Sequence, residues 1–399
     1  MDRNELIEHA RRTFVARFGH EPTAAGVAPG RVELLGNHTD YNEGFVLPSA
    51  IDRYVVVAGC AREVPQARVT TEYQEGVTHF DPARPERDAN APWADYVKGV
   101  VQELTRAGAT IDGFDAVIVS DVPVGAGVSS SAALEVATAQ FLLGLYPQPV
   151  LMTDKMALAK LCQRAENDFV GAPTGLLDQF SSVFGRAGHA LFLDCRTLEH
   201  RATPLPADRA RILIADSGVK HELAAGGGYR ERRAQCEEAA RWFAEHSVRN
   251  NAPIKTLRDV TPAMIEEDSA GLDPILLKRA RHIVYENMRV KMGDEALRTG
   301  NLAAFGETMS NTHESCRTLF ENSCPEVDAL VEIARSVRGV YGAKITGGGW
   351  GGCAVILHEP AASEALNAAL TENYRARFDR DVILLPTVAA PGAETLRFD

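Results

Sequence analysis

The sequence predicts a mixed helix-and-strand protein of about two domains that share an interface, and three observations carry that expectation. At 399 residues the chain is long for a single core. Its composition, 45% hydrophobic and 24% charged, is that of an ordinary soluble protein. Apolar runs of strand character and stretches of helical periodicity follow one another, and residues 121–134 set a strand end, a glycine loop and a helix start in succession.

Taken in order, residues 4–18 space Leu6, Ala10, Phe14 and Phe18 along one helical face. Pro29-Gly30 signals a turn before a short strand, Val32 to Leu35. Gly36 to Gly44 is a polar loop leading into Phe45-Val46-Leu47, and Tyr54 to Cys60 is β-branched like a central strand. A turn-rich interval, 82–92, precedes Trp93 and a helix from about Tyr96 to Arg106. Phe114 to Val119 is a buried strand ended by Pro123, after which Ser129 to Ser131 open a helical run, Ala132 to Leu145. A helix from Lys155 to Phe169, a glycine-punctuated segment over 171–185 and a strand from Leu191 to Asp194 close the first half, and Leu205-Pro206-Ala207 serves as a linker. Beyond it come a strand, Ile212 to Ala215, a helix, Tyr229 to His246, and three or four helices within 273–338. A glycine-rich loop between two strand-like pieces lies within Tyr341 to Leu357.

A net charge of −12 argues against a nucleic-acid backbone as partner. An anionic nucleotide remains compatible, because local helix dipoles and magnesium can outweigh the global field. The N-terminus has no apolar signal-peptide core, and no run approaches the roughly 18 apolar residues of a membrane span. Seven cysteines without CxxC spacing point to reduced thiols. A cytoplasmic protein without membrane association and without zinc is therefore expected, its oligomeric state open and a monomer compatible.

Four features carry chemistry. Gly125, Gly127 and Ser129 to Ser131 lie between a strand and a helix start, where free N–H groups and the helix dipole favour phosphate oxygens and the hydroxyls can bond phosphate or magnesium. The plainer reading is a Ser cap behind a glycine turn. Gly36 to Gly44 offers a row of hydrogen-bonding side chains suited to a sugar, or else forms a solvated loop. Glu166 and Asp178 are carboxylates of the kind that hold magnesium or orient a hydroxyl for phosphorylation, or else surface residues. Thr346 to Gly352 contains a formal GxGxxG, but it leads into a strand, so it is no dinucleotide fingerprint. Its glycines imply close approach of backbone to a strand or a ligand. The chain has no Gly-Lys dipeptide and hence no Walker A, so phosphate handling falls to the Ser-rich loop.

Residues 28–42, 123–133 and 345–353, with Gly175 to Gln179 and Tyr229 to Cys236 between them, resemble the GHMP sugar-kinase family, and within it the galactokinase branch. The resemblance runs from about residue 10 to the end. It implies an α+β, two-domain GHMP kinase fold with the active site in the interdomain cleft. Residues 1–205 would form an N-terminal domain carrying the sugar signature and the ATP loop, and 206–399 a C-terminal domain. The implied reaction is ATP-dependent phosphorylation of the anomeric hydroxyl of galactose, giving galactose 1-phosphate, with Mg2+ as cofactor. By this resemblance Asp178 is the catalytic carboxylate, as a base or an electrostatic orienter, with Arg31 beside it. Asn37, His38, Asp40, Gly175 and Tyr229 contact the sugar. Gly125, Gly127, Ser129, Ser130 and Ser131 line the phosphates, Trp93 and Tyr96 the adenine, and Ser131 and Glu166 the metal.

One departure stands out. The family pattern has Asn where this chain has Glu33, and Glu, which contacts the C6 hydroxyl, where it has Asn37. Residues four apart on an extended segment project to the same side. The pair is thus either a compensated exchange, or a pocket retuned toward a C6-modified or epimeric hexose. A non-catalytic sugar and ATP sensor is a third reading, against which Ser129 to Ala133 and Asp178 are all present. A kinase for mevalonate or homoserine would fit the ATP loop but not His38 to Asn42.

Overall fold

The computed structural model describes residues 1–219, 227–248 and 253–398. Helix α1 (Arg3–Phe18) is capped by Asp2, which accepts from the Asn4 and Glu5 N–H groups, and it buries Leu6, Ala10 and Phe14 as their spacing predicts. Strand β1 (Ala24–Leu35) then runs straight through the expected turn at Pro29-Gly30. A bulge accommodates the pair: the register of β1 with β2 (Phe45–Arg62) shifts between Pro29 and Arg31. The two apolar pieces expected at 45–47 and 54–60 are parts of that one long strand.

The hairpin of β3 (Ala67–Thr71) and β4 (Gln74–Phe80) has no counterpart in the sequence reading, because β4 is largely exposed and carries little alternation. Helix α2 (Ala94–Arg106), β5 (Gly113–Ser120) and α3 (Ser130–Leu145) follow. After α4 (Pro149–Thr153), α5 (Lys155–Arg164) opens into a wider π turn over Ala165–Val170, where one regular helix is predicted. The glycine-punctuated segment contains helix α6 (Leu177–Phe184), and β6 (His189–Asp194) and β7 (His200–Pro204) complete this half.

The second half comprises β8 (Arg211–Asp216), α7 (Gly227–His246), α8 (Pro262–Glu267), α9 (Pro274–Arg298), α10 (Leu302–Ser315), α11 (Pro325–Ser336), β9 (Val340–Thr346), β10 (Cys353–His358), α12 (Ser363–Phe378), β11 (Ile383–Thr387) and β12 (Glu394–Arg397). One sheet has the order β12-β1-β2-β5-β3-β4, with β6 on β2 and β7 on β6; the other has the order β11-β8-β10-β9. Strands β1 to β7 and β8 to β11 thus fall in separate sheets, and β12 returns from the C-terminus to pair antiparallel with β1.

The two sheets share one apolar core, in which Val32 and Leu34 join Ile212, Cys353 and Val355. Helix α3 lies so close to β1 that a Cβ at Gly26 would overlap the Ala137 carbonyl. This packing brings the end of β1, the β5–α3 loop and the β9–β10 loop to one place. Among the described residues no helix is long and apolar enough to cross a membrane.

Candidate active site

Arg31 is the joint of the site. Its backbone N–H, freed by the bulge, donates to the Val128 carbonyl at 3.1 Å. Its guanidinium donates from Nη1 to the Gly127 carbonyl at 2.6 Å, and from Nε and Nη2 to Asp178 Oδ1 at 2.8 and 2.7 Å. One side chain therefore ties β1, the β5–α3 loop and Asp178 together. Asp178 lies in the first turn of α6, where the helix dipole favours its carboxylate, and its side chain keeps 22% exposure toward the cleft it lines.

That cleft also takes in Glu33, His38, Asp40, Gly175 and Tyr229. The Gly36 to Gly44 loop is no solvated loop, since Asn37, His38, Thr39 and Asn42 are all buried. His38 sits at φ +61, a conformation uncommon outside glycine. Its Nε2 faces the Gly348 carbonyl at 2.9 Å and so carries the proton, while Nδ1 accepts from the Tyr41 hydroxyl at 2.9 Å. Burial pushes its pKa down to about 3, so the ring is neutral. With both nitrogens engaged, His38 offers the cleft its ring, which packs against Tyr229 at 5.2 Å between centroids.

Asp40 is pushed up to about 7, first by burial and then by the charge of Asp178. The backbone of Gly175 closes on it, and a Cβ there would overlap Asp40 Oδ2.

Asn37 does not line the cleft. It is fully buried behind it, with Nδ2 donating to the Gly347 carbonyl at 3.0 Å and to Glu33 Oε1 at 3.2 Å, and Oδ1 accepting from Asn322 Nδ2 at 2.9 Å. The residue that faces the cleft is its partner, Glu33. The Glu33 carboxylate is held by Lys344 Nζ at 2.9 Å, and Lys344 has no exposure at all.

On the other side of Arg31 lies the Ser-rich loop. Gly125 and Gly127 have φ values of +76 and +75. A Cβ on Gly347 would come within 2.7 Å of the Gly127 carbonyl, so the glycines of the β9–β10 loop answer to another stretch of backbone. Ser129 occupies the N-cap of α3 at φ +60 but makes no capping bond, and its buried Oγ has no partner, so the plain capping reading fails. An orphan hydroxyl beside a helix start without a side-chain cap fits a phosphate oxygen. Glu166 is 4% exposed; burial and then the charge of Asp178 raise its pKa, and the neighbouring Ser131 hydroxyl acts in the opposite direction. This pair offers the hard oxygen donors that suit magnesium.

Ser130 opens α3. Trp93 and Tyr96 lie at the start of α2, half-buried and outside the lining of the Asp178 cleft. Burial, then the charges of Glu166 and Glu135, raises the Tyr96 phenol pKa.

The structure thus brings together Arg31 with Asp178, Ser131 with Glu166, and His38, Asp40, Gly175 and Tyr229; it sets Asn37 apart. Sequence reasoning misses Lys344 and Thr174. The signal for Lys344 is a lone cation in the apolar strand Ala343-Lys344-Ile345, which only a buried anion explains. Among the described residues the one close His/Cys/Asp group is His20, Cys60 and Asp115, and both Asp115 oxygens are already bound by Arg68 at 2.7 and 2.6 Å.

Comparison with known proteins bears on all of this. Residues 12–61 match the galactokinase galactose-binding signature, 95–186 the GHMP kinases N terminal domain and 295–376 the GHMP kinases C terminal region. The chain is 41% identical to a galactokinase of Bos taurus over 99% of this chain and 97% of that protein. It is 43% identical to one of Homo sapiens over 93% and 92%. A crystal structure of Lactococcus lactis galactokinase complexed with galactose superposes with a TM-score of 0.91 at 32% identity, covering 98% of this chain and 99% of that one. A mevalonate kinase, at TM-score 0.61 and 19% identity over 91% and 98%, shares the fold alone.

Proposed function

The chain belongs to the galactokinase branch of the GHMP kinases and has their mixed α+β fold, and on that premise we propose how its residues phosphorylate galactose with ATP. The observation that carries the reading is the double contact of Arg31 with Asp178, combined with its bond to the loop at Gly127.

Asp40, Glu33 and Tyr229 hold the sugar hydroxyls, and His38 and the Gly175 backbone shape the wall. Asp178 accepts the hydrogen bond of the anomeric hydroxyl and takes its proton as the oxygen attacks the γ-phosphate. Arg31, already oriented by two partners, offsets the charge that develops on the transferring group. The start of α3, with Ser129, Ser130 and Ser131, Gly125 and Gly127, receives the phosphates, and Trp93 and Tyr96 border the adenine. Magnesium, held by Ser131 and Glu166, would neutralise phosphate charge. A domain division at 205/206 is part of the same proposal, supported by the separation of β1–β7 from β8–β11 into two sheets although β12 returns to the first, and the cytoplasm is the proposed location.

The burial of Asn37 and the position of Glu33 in the cleft favour the compensated exchange over a retuned sugar pocket. A coupled ADP-release assay with galactose, galacturonate and 6-deoxygalactose tests this. Galactose should be preferred at least about tenfold, the worth of one charge-assisted hydrogen bond. Equal turnover with 6-deoxygalactose would overturn it, and no turnover with any sugar would revive the sensor.

The raised pKa of Asp40 yields a pH dependence. A carboxylate that accepts from sugar hydroxyls binds best when ionised, so galactose binding should release a proton near neutrality. Affinity should weaken about tenfold from about pH 8 to about pH 6. The same shift makes this group's contribution to stability fall as pH rises from 3.8 through about 7, because the folded form holds the proton more tightly. Calorimetry in two buffers of different ionisation enthalpy measures the proton; a pH-independent affinity would contradict the role of Asp40.

A further inference from the structure

Gln179 follows Asp178 on α6 and is fully buried. Its Nε2 donates to Glu166 Oε2 at 2.7 Å and to Glu135 Oε2 at 2.9 Å. Thr174 Oγ1 donates to the same Glu166 oxygen at 2.7 Å. Thr174 is itself fixed, since its N–H donates to Asn167 Oδ1 at 2.9 Å and its carbonyl accepts from Asn167 Nδ2 at 3.1 Å. Two rigid donors on one oxygen set both the direction and the twist of the carboxylate.

The placement of the two donors is informative. Thr174 lines the sugar cleft, and Gln179 adjoins Asp178 in the chain. Behind Gln179 stands Glu135, also fully buried, whose Oε1 has no partner. An apolar side chain at 179 would leave two buried carboxylates with no donor between them. Mg2+ demands near-ideal octahedral geometry, so a carboxylate ligand that can rotate binds it poorly. Outer hydrogen bonds of this kind typically carry about 10- to 100-fold in metal affinity.

We propose that Gln179 and Thr174 are positioning residues for Glu166, holding its carboxylate in the orientation that receives the nucleotide-bound metal ion. The inference rests on Glu166 being a metal ligand. Through the same two residues the metal side is braced against the sugar cleft and against Asp178.

Manganese serves as the probe, its binding to the protein with ADP followed by the electron paramagnetic resonance signal of free Mn2+. Q179L and T174V should each weaken Mn2+·ADP binding by about tenfold, and T174S, which keeps the hydroxyl, should stay within about twofold of wild type. Galactose affinity of the metal-free Q179L protein, by calorimetry, should change less than about twofold, which a general loosening of the cleft would not allow. Because Q179L exposes Glu135 and Glu166 to each other, E135Q/Q179L is made alongside and compared with E135Q alone. E166Q separates the two levels of the argument. If E166Q weakens Mn2+·ADP binding while Q179L, E135Q/Q179L and T174V do not, the positioning proposal is overturned and Glu166 stands as ligand. If E166Q binds as wild type does, the ligand reading itself fails.

Discussion

Asp178→Asn should lower turnover by about a thousandfold or more while galactose binds within a few-fold of wild type. The substitution keeps the shape of the side chain, and its amide oxygen can still accept from Arg31. It removes the charge and the proton acceptor. Asp178 is 22% exposed and meets the cleft, whereas Arg31 is 7% exposed and is also anchored to Gly127, so the guanidinium has a second partner to hold it in place. Binding should survive because the proposed sugar contacts at Asp40, Glu33 and Tyr229 are untouched. Single-turnover ADP release, paired with calorimetric galactose binding, separates the two effects. A variant keeping more than about a tenth of wild-type turnover would remove Asp178 from the mechanism.

Glu33→Ala should be the most damaging substitution for stability. Lys344 has no exposure, and Glu33 provides both its carboxylate contact at 2.9 Å and a carbonyl contact at 3.0 Å. Stripping the carboxylate leaves a buried ammonium without counter-charge, which typically costs about 3–5 kcal/mol. Asn37 would lose its 3.2 Å acceptor as well. The double variant E33A/K344M removes the orphaned charge and should recover most of the stability, but galactose binding should stay weak because the cleft still lacks its carboxylate. Denaturant unfolding of the three proteins measures this. Equal stability of Glu33→Ala and wild type would show that Lys344 finds another partner and that the pair is not a structural unit.

The chemistry was more legible in the sequence than the geometry. Arg31, Asp178 and Ser131 come from separate segments, each inside a motif the sequence displays, and Arg31 meets Asp178 in the fold; Glu166 lies in no motif, and its sequence alone does not separate it from a surface carboxylate. The same-side reading of Glu33 and Asn37 also holds, since the two side chains bond to each other. Which of them faces the cleft was not legible. That depends on Asn322, Cys316 and Gly347, all about 280 or more residues away in the chain, closing around Asn37.

The local misreadings have local causes. Pro29-Gly30 looks like a turn because a bulge uses the same residues, and the π turn at Ala165–Val170 has the composition of an ordinary helix. Strand β12 is short and half-exposed, and only its pairing with β1 defines it. A buried lysine such as Lys344 carries no periodic signal, because its reason for being there is a single carboxylate on a distant strand.

In the proposed reaction this cleft directs the γ-phosphate of ATP to the anomeric oxygen of galactose. The most direct test is a phosphorus–proton correlation spectrum of the product formed from galactose, ATP and magnesium. Phosphorus coupled to the anomeric proton, formed by Asp178→Asn about a thousandfold or more slowly, is the expected result. Phosphorus coupled to the C6 protons, or the same product formed by Asp178→Asn at the wild-type rate, would contradict it.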